Sequence, residues 1–146
     1  MKLIDVTPEN YDLAKKLSVG EEQKRFIANI TCTLADAFVY QDAIFKLASF
    51  NGEIVGYLLL YPFVENDIRI INFVRIAIHH EYQGRGYGKA LLGSAADLAL
   101  ELFPDAKRFK ICVFPENRHA IYIYKKFGFV QEGEEGKELS FFMNIP

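Results

Sequence analysis

Gln83-Gly84-Arg85-Gly86-Tyr87-Gly88-Lys89 is the stretch on which the reading of this chain turns. It follows a β-branched apolar run, Ile68 to Ile78. It leads into a segment where Leu91, Leu92, Ala95, Leu98, Ala99 and Leu102 recur at helical spacing until Pro104 ends the pattern. A glycine-rich turn between a strand and a helix lets successive backbone N–H groups face an anion at the helix N-terminus, where the helix dipole also favours negative charge. Arg85 and Lys89 add side-chain charge at the same place, so two linked phosphates can be held there. The spacing disfavours two other phosphate-binding loops. A P-loop needs glycine where Gln83 stands and Ser or Thr where Ala90 stands. The dinucleotide pattern Gly-x-Gly-x-x-Gly fails in both registers, because its last position is Lys89 counted from Gly84 and Leu91 counted from Gly86.

Charge along the chain agrees with a bound polyanion. Gln83 to Gly128 carries 8 Lys/Arg against 4 Asp/Glu, both flanks are net acidic, and the whole chain sums to −2. That near-neutral total, with no strand of interleaved aromatics on which bases could stack, argues against a nucleic-acid partner. With 146 residues, 51% of them hydrophobic, and no linker, low-complexity tract or repeat, residues 1–146 read as one domain with one core. The longest apolar run, Ile54 to Phe63, is about half of what a membrane span needs. Asp5 and Glu9 interrupt any signal-peptide core, so a cytoplasmic protein with no membrane partner is expected. Cys32 and Cys112 lie far apart without metal-ligand spacing and read as small buried residues rather than a disulfide or zinc ligands. His79-His80 reads as two strand neighbours pointing to opposite faces, so no metal centre is expected.

Working outward, Lys2 to Val6 reads as a strand, and Thr7-Pro8 opens a helix running to about Ser18. A second helix begins near Thr31 or Thr33 and runs toward Ile44. Asn51-Gly52 between Phe45–Phe50 and Glu53–Phe63 marks a hairpin with a type I′ turn. Ile68 to Ile78 is a further strand, bulged near its end, and Gly88 to Phe103 is the clearest helix. Arg108 to Phe114 follows as a strand, Asn117 to Phe127 as a helix closed by Gly128, and Phe129 to Ile145 as two strands around Gly136. The central strand–helix–strand unit demands a parallel pair and the hairpins antiparallel ones, giving a mixed α/β sheet covered by helices.

The Gln-x-x-Gly-x-Gly pattern of Gln83, Gly86 and Gly88 resembles the signature of the GCN5-related N-acetyltransferase (GNAT) superfamily. Asn117-Arg118-His119-Ala120-Ile121-Tyr122-Ile123-Tyr124-Lys125-Lys126-Phe127-Gly128-Phe129 is similar to that family's Asn-x-x-Ala-x-x-x-Tyr-x-x-x-Gly-Phe segment, and the likeness covers nearly the whole chain. The resemblance implies the GNAT fold: a mixed, mostly antiparallel seven-stranded sheet with about four helices. Its fourth and fifth strands run parallel and splay apart to admit the pantetheine arm of acetyl-coenzyme A (acetyl-CoA). In this chain those strands would end near Ile78 and Phe114. The likeness further implies that backbone groups of Ile76, Ala77 and Ile78 pair with the pantetheine amides. Gln83, Gly84, Arg85, Gly86, Tyr87, Gly88 and Lys89 would hold the pyrophosphate, with Asn117 and Lys126 touching the cofactor nearby. Tyr124 matches the motif tyrosine and is the expected general acid for the leaving thiolate. Apart from the resemblance, Ile121, Tyr124 and Phe127 also read as an apolar helical stripe facing a core.

The implied reaction is direct attack of a primary amine on the thioester in a ternary complex, and neither motif holds a cysteine that could carry the acyl group. A free alkylamine with a pKa of about 10.4 must lose a proton first. Many members carry a carboxylate on the fourth strand for this, whereas Ile70 to Ile78 has none, so ordered water, Glu81 and His79 stand as alternatives. Ser18 to Asn29, with Leu34-Ala35-Asp36-Ala37, resembles the bacterial spermine/spermidine acetyltransferases. That likeness implies a small polyamine acceptor drawn by the spaced negative charge of Glu21, Glu22 and Asp36. A protein N-terminus or an aminoglycoside as acceptor would use the same cofactor half, and a non-catalytic CoA-binding sensor would need no Tyr124. Monomer and homodimer are both compatible with the expected edge strands.

Overall fold

Asn51 and Gly52 both take positive φ, 50° and 82°, and fold β2 (Ile44–Phe50) back on β3 (Glu53–Glu65). Asn66 and Asp67, at φ 53° and 62°, turn β3 into β4 (Ile68–Ile78) in the same way. These three strands form the antiparallel centre of a seven-stranded sheet in the order β1-β2-β3-β4-β5-β7-β6. The outer strands are β1 (Lys2–Ile4), β5 (Arg108–Val113), β6 (Val130–Glu135) and β7 (Glu138–Asn144). β4 and β5 form the parallel pair, joined through α3 (Tyr87–Leu102), while α4 (Arg118–Phe127) connects β5 to β6. The computed structural model describes residues 1–21, 23–24 and 29–146.

Two cores sit on opposite faces of the sheet. On one face Leu91, Leu92, Ala95 and Ala99 of α3 pack on Leu58, Leu60, Ile71, Phe73, Phe109, Ile111 and Phe141, with α4 alongside. On the other, α1 (Tyr11–Lys15) and α2 (Ile30–Val39) cover Leu47, Tyr57 and Ala77 through Ala14 and Ile30, with Leu17 just beyond α1. The mixed seven-stranded sheet, its parallel fourth and fifth strands and the four helices among the described residues are those the family likeness implied, and no described helix is long and apolar enough to cross a membrane.

Several expectations shift at element ends. α1 starts at Tyr11, not at Pro8, because the Asn10 side chain accepts from the Thr7 N–H (2.8 Å) and donates to the Asp5 carbonyl (2.9 Å), holding that segment as a turn. α2 starts at Ile30, where Asn29 caps it by accepting from the Cys32 N–H at 2.8 Å, and it stops at Val39, short of Ile44, because Tyr40 turns to extended backbone (ψ 132°). Cys32 is exposed and Cys112 half-buried, so neither is the fully buried residue expected. The amphipathic α2 turns Cys32 outward, and Cys112 lies on the less covered face of β5.

The bulge expected in β4 is at Val74. Leu59 pairs with Arg75 but Leu60 with Phe73, so Val74 is an extra residue and the alternation of faces slips by one. Before the bulge Ile71 and Phe73 face the α3 core; after it Ile76 and Ile78 do, while Ala77 joins the α1–α2 core.

Candidate active site

Pairing between β4 and β5 runs from Ile70↔Arg108 to Phe73↔Ile111 and then stops. The Val74 bulge bends β4 away while β7 keeps its hold on β5 as far as Leu139↔Val113, so the strands part. The phase of the β3–β4 ladder decides which backbone groups are left over. His79 N–H donates to the Val55 carbonyl at 2.8 Å, so Ala77 is the residue that exchanges hydrogen bonds with Tyr57 opposite it. The N–H and C=O of Ile76 and Ile78 therefore point across to where β5 has departed. Of the three backbone positions expected to meet a pantetheine arm, two face the gap, and Ala77 is turned to β3.

A cavity of about 450 Å³ opens over this gap on the α3–α4 side. Ile76, Ile78, Gln83, Gly84, Gly86, Tyr87, Gly88, Lys89, Asn117 and Tyr124 line it, so most of the expected cofactor and catalytic residues come together. Gly84 and Gly86 take φ of 79° and 84°, a backbone that L side chains resist, although a Cβ at either would meet nothing within 4 Å. Gly86 is the N-cap of α3, and no side chain caps that end among the described residues. The first-turn N–H groups of α3 are thus left for an anion. Gln83 ties this loop to the parted strand, its Nε2 donating to the Ile78 carbonyl at 3.0 Å. Asn117 is buried at the start of α4, which it caps through the Ala120 N–H (3.4 Å), and two turns later Tyr124 reaches the cavity.

Tyr124 packs its ring near Phe129 (centroids 6.1 Å apart), and no described residue hydrogen-bonds its hydroxyl. Burial, and then the negative charge of Glu138 at the start of β7, push its phenol well above the ordinary tyrosine range. It is held as the protonated acid at any physiological pH. Glu138 was not singled out from sequence, because only the β5–β7 pairing brings it near Tyr124.

Other expected residues lie outside the cavity wall. Arg85 is exposed with its guanidinium 5.6 Å from the Tyr82 ring centroid, and Lys126 is exposed over Tyr122 at 5.6 Å. Glu21 is exposed and bonded to Lys24 (2.7 Å), and Asp36 pairs with Arg75 (3.2 Å) on the opposite face of the sheet, where β4 carries an arginine and no acid. Glu22 lies outside the described residues. Val19, Gln23, Tyr82, His119 and Tyr122 also line the cavity. Their sequence spacing carries no sign of this, since it follows from long-range packing.

His79 and His80 depart from the opposite-faces expectation. β4 ends at Ile78 and a single turn of 3₁₀ helix begins at His80, so strand alternation no longer applies and the two rings lie 4.3 Å apart. Ligand atoms of His79, His80 and Glu81 come within 4.8 Å of one another. His79 Nδ1, however, already accepts the Ser18 N–H at 2.9 Å. Glu81 is exposed on the turn outside the cavity lining.

Residues 9–129 match the acetyltransferase (GNAT) family. A spermine/spermidine N(1)-acetyltransferase of Bacillus subtilis is 30% identical over 135 residues, covering 88% of this chain and 87% of the relative. Among solved structures, an acetyltransferase from Thermus thermophilus superposes with a TM-score of 0.78 at 19% identity, covering 99% of this chain and 96% of the other. A spermidine N-acetyltransferase from Vibrio cholerae, in complex with CoA and spermine, superposes with a TM-score of 0.74 at 16% identity over 98% and 94% of the two chains.

Proposed function

The chain belongs to the acetyltransferase (GNAT) family and is an acetyl-CoA-dependent N-acetyltransferase; from that premise we propose that its acceptor is a polyamine such as spermidine or spermine. One feature carries the placement of the chemistry. The cavity is continuous from the uncapped N-terminus of α3, past the edge of β4 at Ile76 and Ile78 that β5 has left, to Tyr124. In this reading the Gly84–Gly86 backbone and the first turn of α3 grip the pyrophosphate, with Lys89 beside it and Arg85 and Lys126 supplying charge from the rim. Ile76 and Ile78 supply the strand edge to which the pantetheine amides add, and Asn117 contacts the cofactor nearby.

With acetyl-CoA held there, the amine lone pair would attack the thioester carbonyl carbon, the C–S bond would break, Tyr124 would give its phenolic proton to the departing sulfur, and the extra proton on the acylated nitrogen would pass through water to restore the Tyr124 phenol. Tyr124 suits this step because its surroundings keep it protonated. The attacking ammonium first loses its proton to ordered water. His79 is a poor base, since its free lone pair is taken by the Ser18 N–H.

Support for a polyamine acceptor is the likeness to the Bacillus subtilis enzyme over most of both chains. Glu21, Glu22 and Asp36 supply the negative charge in this reading, although Lys24 and Arg75 offset two of them. The test is CoA release over a panel of spermidine, spermine, aminoglycosides and lysine-bearing peptides. Turnover of the polyamines ahead of the rest is expected. Turnover of another amine without them would discard the acceptor assignment alone, while absence of acetyl-CoA binding would discard the site.

A further inference from the structure

We propose that His79 is a positioning residue for the cavity: its neutral imidazole holds the segment that begins at Ser18, and with it the wall formed by Val19 and Gln23. The inference rests on reading the cavity as the acetyl-CoA site. Two bonds join segments 61 residues apart: Ser18 N–H donates to His79 Nδ1 at 2.9 Å, and His80 N–H donates to the Ser18 carbonyl at 2.8 Å. Ser18 lies beyond the end of α1, so these bonds, and not helix continuation, set where the chain goes next. Val19 follows, buried and at the cavity edge, and the Gly20 carbonyl then accepts from the Gln23 N–H at 2.8 Å, turning Gln23 into the lining. A Cβ at Gly20 would stand 3.8 Å from both Gln83 Oε1 and His80 Cβ, so the segment leans on the glycine loop itself.

An Nδ1 that accepts an N–H must carry a lone pair, which puts the neutral ring's proton on Nε2. Protonation of the ring sets one N–H against another and breaks the bond. Burial first, and then His80, hold the His79 pKa below its ordinary value, while Glu81 pulls the other way. The neighbouring titratable and charged groups are His80, Glu81 and Tyr82 on its own turn, Glu53 from the β2–β3 hairpin through its bond to Tyr82 (2.7 Å), and Glu21 paired with Lys24 on the Ser18 side. A lowered pKa means that the released form takes up the proton more readily than the clamped one. The clamp's stabilisation is therefore fully present above the ordinary histidine value of about 6.5 and is lost as pH falls on through the lower pKa of the clamped ring.

The test measures acetyl-CoA affinity from pH 5 to 8 for the native protein, His79→Leu and His79→Asn, together with exchange of the Ser18 amide in the unliganded protein. Asparagine can place Oδ1 where Nδ1 stands, and it does not titrate. His79→Leu is expected to weaken acetyl-CoA binding roughly three- to tenfold at pH 7.5, the loss of about one net hydrogen bond, to raise KM more than it lowers kcat, and to expose the Ser18 amide. His79→Asn is expected to keep the native affinity and to hold it at pH 5.5, where the native protein weakens. Native affinity and a protected Ser18 amide in His79→Leu would overturn the proposal, and should that variant not fold, native-like weakening of His79→Asn at pH 5.5 would overturn it equally. Native protein that binds no acetyl-CoA at any pH overturns the reading of the cavity instead, with Ser18 exchange still reporting whether His79 holds the segment.

Discussion

Tyr124→Phe removes one oxygen and little else. The ring keeps its place near Phe129, and because no described residue bonds the hydroxyl, its loss leaves no orphaned partner behind. Stability should therefore stay within about 0.5 kcal/mol of the native protein. Acetyl-CoA affinity should also hold, because the grip lies at the glycine loop and the β4 edge. Loss of a positioned acid costs about 10²- to 10⁴-fold in rate, roughly 2.7 to 5.4 kcal/mol in the barrier at 1.36 kcal/mol per tenfold. The fall should be confined to kcat in a CoA-release assay at saturating acetyl-CoA and amine, with affinity checked by calorimetry. The pH profile adds a second readout. Burial and Glu138 push the phenol up, so Tyr124 stays protonated through the range where the amine loses its proton, and the native rate should climb with pH without a descending limb below pH 10. A Tyr124→Phe variant within threefold of native kcat would refute the assignment of this residue as the acid.

Two further substitutions separate the remaining parts of the site. Gly86→Ala forces a Cβ into φ 84°, a strain of about 1–2 kcal/mol in a position where space itself is free, so the free loop should relax away from that backbone and acetyl-CoA affinity should fall about fivefold to thirtyfold with little loss of thermal stability; unchanged affinity together with unchanged stability would remove the loop from the phosphate grip. Asp36→Asn breaks the pair with Arg75, a partly exposed bridge worth at most about 1 kcal/mol, and if Asp36 attracts the acceptor it should raise KM for spermidine without moving acetyl-CoA affinity; an unchanged KM would leave Asp36 with only the structural bond to Arg75.

The backbone of the glycine loop and the ends of α4 were legible because their signals are local. Gly84 and Gly86 hold left-handed backbone that a side chain resists, Asn117 caps the helix it precedes, and Gly128 closes that helix at φ 124° with Met143 Sδ only 2.9 Å from where a Cβ would be. Each of these demands acts within a few residues and so leaves a mark in the sequence. The contacts of α1, α2 and the segment between them were not legible, for the opposite reason. Asp36 meets Arg75 across 39 positions, and Ser18 meets His79 across 61, contacts set by how α1 and α2 lie on the sheet. Charge counted along the chain treated Glu21 and Asp36 as free, whereas each has a cation beside it.

The gap between β4 and β5 shows how a binding edge arises with no special side chain at all. Ile71, Phe73, Ile76 and Ile78 are ordinary core residues, and the slip in their alternation, three positions where two are due, marks the extra residue at Val74. Had β4 been regular, its pairing with β5 would continue past Phe73↔Ile111, and the edge groups beyond that point would be spent on β5. β5 cannot follow β4 through the bend, because six consecutive pairs with β7, from Arg108↔Asn144 to Val113↔Leu139, hold it in place. The parted edge is thus paid for by the pairing on the far side of β5. Weakening the β5–β7 ladder should therefore disturb cofactor affinity even though no residue of β7 lines the cavity.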